Sequence, residues 1–327
     1  MKAVIPVAGT GSRLRPFTLT MPKALVPVAG KPILGHILDK VVALDIQDVI
    51  LIISPTGDAI KTYVELYDTL NVQYVVQQEA LGIGHAIFQC RSLLDDEPIL
   101  IILGDTIYPS DFSSLRDGLS TSAVGVKSLN GDLRRFGIVE VEDGRVTRLV
   151  EKPDHPQSNL VVAGVYYLNE PMRLIDCLDT MIRKTQTTRH EYQLTDALQM
   201  MIDQGITLTT FTVNEWHDCG TPDRLLEANR RLLDLKEDGG IGEIPGSVLI
   251  PPVAIAPDAR IEASVIGPYV SISSHASVDR AVIRESIIGQ EAHLKNCNLV
   301  GSIIGPHAVV SGQVKQIYVG TYSEMYI

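Results

Sequence analysis

Apolar residues recur along this chain in two rhythms, and the change of rhythm divides it. Up to about residue 235, short runs rich in β-branched side chains stand between polar or turn residues, at 49–53, 72–76 and 99–103. Runs of that length and composition predict strands buried on both faces, as in a parallel sheet. Residues 33–44, 58–70 and 82–94 intervene, and each can carry an apolar stripe at helical spacing. The order predicts a βαβ series: a Rossmann-like, mostly parallel α/β sheet covered by helices. Ligands of such sheets bind beyond the carboxyl ends of the strands.

Residues 236–246, rich in glycine and charge, break the pattern and read as a linker. Beyond them the rhythm shortens. Ile255, Ile261, Ile266, Ile272, Val278, Ile283, Ile288, Leu294, Leu299, Ile304 and Val310 follow one another at five or six residues. The phrase Ser264-Val265-Ile266-Gly267-Pro268 returns as Ser286-Ile287-Ile288-Gly289-Gln290 and as Ser302-Ile303-Ile304-Gly305-Pro306. A hexapeptide period with inward aliphatics predicts a β-helix over 247–327. At three steps to a coil there is room for about four coils. The expected organisation is therefore a first domain at 1–235, the linker, and a short β-helix.

Composition narrows the partners. The chain has 327 residues, 45% of them apolar, and a formal net charge of −11. It lacks the general positive footprint that nucleic acid requires, so a polyanion has to be met by local basic residues. No apolar run approaches the ~18 residues of a membrane span, and the chain opens directly on a strand instead of a leader. Cys90, Cys177, Cys219 and Cys297 lie far apart without metal or disulfide spacing, which fits a reducing cytoplasm.

The candidate chemistry starts just past the first strand. Val4, Ile5 and Val7 lead into Gly9-Thr10-Gly11-Ser12-Arg13, with Lys23 ten residues beyond Arg13. Glycines let backbone N–H groups point inward around an anion, and Arg13 and Lys23 add positive charge, an arrangement suited to a triphosphate. The loop is not a Walker A motif, because no Gly-Lys-Ser/Thr closes it, and GxGxxG is absent.

Together with motifs further along, this loop resembles that of the sugar-1-phosphate nucleotidylyltransferases. Gly9-Thr10-Gly11-Ser12-Arg13-Leu14-Arg15-Pro16-Phe17-Thr18 and Pro22-Lys23 match that family's signature. Gln77-Gln78-Glu79-Ala80-Leu81-Gly82-Ile83-Gly84-His85-Ala86, Leu103-Gly104-Asp105, Phe136-Gly137, Glu151-Lys152-Pro153, Ala163-Gly164-Val165-Tyr166, Tyr192-Gln193-Leu194-Thr195-Asp196 and Trp216-His217-Asp218-Cys219-Gly220 come in the family's order. The resemblance covers residues 1–235.

It implies attack by a sugar phosphate oxygen on the α-phosphorus of an NTP, with Mg²⁺ as cofactor. Arg13 would steady the β and γ phosphates, Lys23 the α-phosphate, and Lys152 the sugar phosphate. Asp105 and Asp218 would hold the metal, although spacing alone does not show that they meet. Ala8, Gly9, Gly11, Ser12, Gly82 and Gly104 would border the nucleotide. Gln77, with Gln78 as near-equal rival, would read a pyrimidine edge. Gly137, Glu151 and Val162 would hold sugar hydroxyls, with a plain Glu151–Lys152 surface ion pair as the competing reading. Ala8 and Ser12 depart from the family's usual glycine and threonine. The lead Ile5-Pro6-Val7-Ala8-Gly9 looks more like UTP–glucose-1-phosphate uridylyltransferases, and Leu14-Arg15-Pro16-Phe17-Thr18 more like thymidylyltransferases. The reading is UTP or dTTP, leaning to UTP, with glucose 1-phosphate as acceptor.

Two other readings stay open. The two-domain layout also serves in non-catalytic regulatory subunits, and β-helices of bifunctional relatives carry acyltransferase activity. For the second, His275, His293 and His307 would be the candidate bases, although they fall at turn-like positions. The β-helix, left-handed in such relatives, is expected to join copies into a homo-oligomer, with neither nucleic acid nor membrane as partner.

Overall fold

Strand β1 (Lys2–Pro6) has Ala3, Val4 and Ile5 with no exposed surface, and it forms the middle of the sheet. In this computed structural model, which describes residues 1–236 and 242–312, β1 pairs in parallel with β2 (Asp48–Ile53). Strand β2 in turn pairs in parallel with β3 (Asn71–Val76). On its other edge β1 pairs in parallel with β4 (Ile99–Ile102). Ile50, Leu51, Ile52 and Ile53 are at most 1% exposed, as are all four residues of β4, because helices cover both faces. The β-branched runs read from the sequence are these strands.

Past β4 the chain runs through a two-residue strand, β5 (Thr106–Ile107), and the sheet becomes antiparallel. Strands β6 (Ser122–Ser128), β7 (Gly137–Glu142), β8 (Arg145–Glu151) and β9 (Leu160–Leu168) extend it, with β9 antiparallel to β4, β6 and β7. Asp143 and Gly144, both at positive φ, close the β7–β8 hairpin with the two-residue Asp-Gly turn that matches strand twist. A parallel edge strand, β10 (Leu208–Thr212), joins β6, and β11 (His217–Asp218) pairs only with β5.

The helices are α1 (Ile33–Ala43), α2 (Asp58–Val64), α3 (Ile83–Gln89), α4 (Pro171–Arg183), α5 (Leu194–Asp203) and α6 (Pro222–Asp234). Helices α2 and α3 stop several residues before the 58–70 and 82–94 spans end. Leu66, just past α2, is 74% exposed, so no buried stripe carries that helix on. Proline opens α4, where its missing N–H costs nothing, and Leu174, Leu178 and Met181 recur on its buried face. Full burial of each such side chain contributes about 2 kcal/mol. None of the described helices is long and apolar enough to cross a membrane.

Two compact units result: Met1–Val26 with Lys31–Arg224, and Pro27–Gly30 with the described residues from Leu225 onward. The second unit contains three ladders of short parallel strands, four strands to a ladder, in the order of a β-helix of four coils. One ladder runs Val248–Leu249, Val265–Ile266, Val282–Arg284, Asn298–Val300. Every aliphatic read as inward from the five- or six-residue period belongs to its buried core or, as with Ile255, Leu299, Ile304 and Val310 toward the ends, packs partly buried against it. The stacked parallel sheets fit a left-handed β-helix.

Serine explains the recurring phrase. Ser264 Oγ donates to Glu262 O (2.6 Å) and accepts from the Ala281 N–H (3.0 Å). Ser286 repeats this with Arg284 O (2.6 Å) and the Ser302 N–H (3.1 Å), so a buried hydroxyl ties each corner to the next coil. Asn229 of α6, 1% exposed, is satisfied in the same unit. Its Oδ1 accepts from the Ala29 N–H (2.9 Å) and Ser271 Oγ (2.6 Å), while Nδ2 donates to Tyr269 O (3.1 Å). Part of the linker (237–241) and the end of the β-helix span (313–327) lie outside the described residues.

Candidate active site

The loop after β1 is shaped by its glycines and one threonine. Gly11 has φ +60°, and a Cβ there would stand 2.9 Å from Thr18 Cγ2 and 3.0 Å from Lys23 Cβ. Thr18 Oγ1 donates to Gly11 O at 2.7 Å and Leu14, fully buried, pins the next turn. Gly104, after β4, packs against Val7 and, at 2.6 Å from a hypothetical Cβ, against Pro6 O, so only glycine fits between the two strand ends. Ala8, Gly9, Gly11, Ser12, Arg13, Lys23, Gln77, Gly82, Gly104 and Asp105 all line one cleft of about 310 Å³. It opens beyond the carboxyl ends of the parallel strands, where the topology directs ligands.

Asp105 and Asp218 stand on neighbouring short strands. Asp218 is in register with Thr106 across β5 and β11, and the Cys219 N–H donates to Asp105 O at 3.0 Å. Lys23, 9% exposed, reaches Asp105 Oδ2 at 2.8 Å. Burial pushes the Asp105 carboxyl up, but Lys23, the Thr106 hydroxyl and Arg13 outweigh it and hold the group below the usual carboxylate range. Its side chain keeps 42% exposure, so it remains open to a ligand. Asp218 is held the other way. Burial and the Asp105 charge raise it, against the pull of Lys23, Arg13 and Arg135. Arg224 of α6 also pairs with Asp218 Oδ2. Arg13 approaches from the loop: a Cβ on Gly220 would lie 3.0 Å from Arg13 Nη2 and 2.7 Å from Asp218 Oδ1.

Two carboxylates that repel each other, each spending Oδ2 on a cation, fit a shared divalent ion. No group of three or more His, Cys, Asp or Glu able to hold a metal occurs among the described residues. Hard carboxylate oxygens are the kind of donor that Mg²⁺ takes alongside waters and phosphate oxygens. Burial raises the Cys219 thiol, so it stays protonated and unreactive beside them.

Gln77 directly follows β3, 7% exposed, with its N–H on Ile53 O (2.9 Å); Gln78 is exposed. Gly82, at φ +103°, opens α3 so closely against Tyr192 O that a Cβ would come to 2.7 Å.

Gly137, Glu151 and Val162 meet elsewhere, outside the lining of that cleft. Gly137 faces Glu151 in register, and its hypothetical Cβ lies 3.2 Å from Val162 Cγ2 and 3.3 Å from Glu151 Oε2. Glu151 is clasped by Thr195 Oγ1 (2.8 Å) and by Lys152 Nζ (2.8 Å), so the neighbouring ion pair does form. Lys152 has φ +44°, a left-handed backbone that a non-glycine residue adopts at a cost of about 1 kcal/mol. Its N–H donates to Phe136 O (3.1 Å), and its carbonyl accepts from Arg189 Nη2 (2.8 Å), which hold it there.

The family model described as Nucleotidyl transferase matches residues 2–234. The chain belongs to that family. It is 30% identical to a glucose-1-phosphate thymidylyltransferase of Streptomyces griseus, over 95% of this chain and 94% of that protein. The bifunctional protein GlmU of Methanocaldococcus jannaschii is 32% identical over 93% of this chain and 78% of its own length. A UDP-glucose pyrophosphorylase solved with UDP-glucose shares the fold, at TM-score 0.62 and 23% identity, over 72% of this chain and 99% of that one.

Several charged or polar side chains at the site of this nucleotidyl transferase were not singled out from the sequence. Arg135 lowers the Asp218 carboxyl and stacks over Phe136 at 4.8 Å, and Phe136 meets Trp216 edge-on at 5.5 Å. Arg224 and Thr195 reach the acidic groups from helices. Only the motifs Arg134-Arg135-Phe136-Gly137 and Leu194-Thr195-Asp196 mark two of them, without saying what they touch.

Proposed function

We propose that this chain transfers the nucleotidyl group of a pyrimidine NTP to a hexose 1-phosphate, glucose 1-phosphate first, giving an NDP-sugar and pyrophosphate in a Mg²⁺-dependent reaction. The observation that carries the reading is the Lys23–Asp105 pair at 2.8 Å in the cleft that the glycine loop lines, with Asp218 on a short strand just beyond. A phosphate oxygen of the sugar forms a bond to the α-phosphorus as the bond from that phosphorus to the bridging oxygen breaks. Such a transfer needs alignment and charge neutralisation more than a protein nucleophile. Arg13 holds the β and γ phosphates and then the departing pyrophosphate. Lys23 faces the α-phosphate, and Lys152 the incoming phosphate. Asp105 and Asp218 would hold Mg²⁺, which when bound would supply positive charge against the two approaching anions. The Streptomyces griseus relative aligns across both domains and bears a thymidylyltransferase name, which favours dTTP over UTP.

Pyrophosphate release is measured with UTP, dTTP, ATP, GTP and CTP against glucose, galactose, mannose and N-acetylglucosamine 1-phosphates. Turnover is expected with a pyrimidine NTP and one sugar, abolished by EDTA and restored by Mg²⁺. No release with any pair sinks the reading and leaves the regulatory one.

A second reading draws on the alignment of the bifunctional GlmU relative over 93% of this chain. On the β-helix, His275 and His307 occupy exposed left-handed turns, whereas His293 lies on a strand with Nδ1 2.7 Å from Ser277 Oγ. Consumption of acetyl-CoA tests it. The β-helix also bears exposed valines in one ladder, Val248 at 56% and Val282 at 38%, which suits association of copies. Light scattering is expected to give a multiple of the 35.7 kDa chain mass, and a single-chain mass at micromolar concentration contradicts assembly.

A further inference from the structure

The Gln77 amide is wired to an imidazole that the proposed chemistry does not use. Gln77 Nε2 lies 3.2 Å from the Gly82 carbonyl oxygen and 3.1 Å from His85 Nδ1. A backbone carbonyl only accepts, so the amide must turn its NH₂ toward Gly82. The second hydrogen then requires an acceptor at His85 Nδ1, which places the ring proton on Nε2. That nitrogen faces the Gln89 amide at 2.9 Å and calls for the oxygen end of it. Both hydrogens of the Gln77 amide are thereby engaged, leaving Oε1 as its group for the cleft that Gln77 lines.

We propose that His85 is a positioning residue that holds the Gln77 amide with its oxygen toward the cleft, so that the site selects a base presenting an N–H, uracil or thymine, over cytosine. Uracil and thymine carry a hydrogen on N3, whereas cytosine N3 is an acceptor and would face Oε1 with no proton between them. The inference rests on the proposed reading that a pyrimidine NTP binds this cleft. A neutral ring is required, since protonated imidazole donates from both nitrogens. Burial lowers the His85 pKa, against the Glu79 carboxylate and carbonyl, which favour the charged ring; the Tyr192 ring, 6.3 Å away, completes its surroundings.

Calorimetry with UTP and CTP, each with Mg²⁺, measures the ratio of dissociation constants without depending on turnover. The intact protein is expected to bind UTP more tightly. His85→Ala should lower that preference by about 10-fold, because the amide, then held by the Gly82 carbonyl alone, can give up that single bond and rotate to meet either base. His85→Asn, whose Oδ1 can stand where Nδ1 stood, should restore it. In the intact protein the preference should persist above the His85 pKa and fall as the pH drops through it, while the Asn variant stays flat. This pH profile serves if the Ala variant does not fold. An unchanged ratio in His85→Ala, a pH-independent ratio in the intact protein, or tighter binding of CTP overturns the proposal. If UTP is preferred and the preference depends on His85, yet no pyrophosphate is released, the catalytic reading fails and the positioning role stands. Binding of neither nucleotide ends both.

Discussion

Asp105→Asn is expected to lower the rate of nucleotidyl transfer by on the order of 10³-fold while circular dichroism stays that of the folded protein. The amide has nearly the volume of the carboxylate but carries no charge. Asp105 is the carboxylate that its surroundings keep ionised, with Lys23 at 2.8 Å and Arg13 nearby. Losing that charge removes a hard ligand for the divalent ion and leaves Lys23 with a neutral partner. The amide oxygen can still accept from Nζ, which spares the fold. Asp218→Asn should lose activity as well, because metal binding needs both groups ionised, including the one whose pKa its neighbours raise. Steady-state pyrophosphate release across a Mg²⁺ series is the measurement. Near-normal rates in both variants would show that the ion is held elsewhere.

Gly267→Ala is expected to destabilise the β-helix on the order of 3 kcal/mol, seen as a lower thermal midpoint by circular dichroism. Gly267 has φ +107°, and a Cβ there would run into the Ile250 carbonyl oxygen and stand 2.9 Å from Val253 Cγ1. The obstacle is backbone locked in the ladder, with the Ile250 N–H on Ile266 O and the Gly267 N–H on Ile283 O, both at 2.8 Å. Gly301→Ala provides the comparison. That glycine also has positive φ, +55°, but no atom within 4 Å of its hypothetical Cβ, so only backbone strain of about 1 kcal/mol applies. Equal losses in the two variants would mean that the collision is relieved without cost.

The parts of this fold that were legible in the sequence are those with a period. Parallel strands showed as β-branched runs because both their faces are buried, and the β-helix showed because each coil repeats its inward aliphatics. The short strands β5 and β11 have too few residues for any period, yet they bring Asp105 and Asp218 together. The family's motifs imply that meeting, whereas residue spacing is silent on it. The antiparallel extension went unread, although β7 and β8 alternate exposed charge with buried aliphatics as half-covered strands do. The glycine loop and Lys23 stood out only with the motifs that follow, since glycine-rich turns after a first strand serve many α/β proteins. Arg135 and Arg224 did not stand out, and His85 only as a motif member, because what each touches is supplied by the folded chain alone.

The four residues of Pro27–Gly30 belong to the second compact unit although residues Lys31–Arg224 of the first separate them from its main body. The Ala29 N–H is bonded to Asn229, and Asn229 to the coils through Ser271. A gene cut near residue 235 would therefore sever a hydrogen-bonded module, not a tether. Chimaeras that exchange β-helices between relatives should work best when residues 27–30 travel with the transplanted half. The recombination unit of this protein is discontinuous.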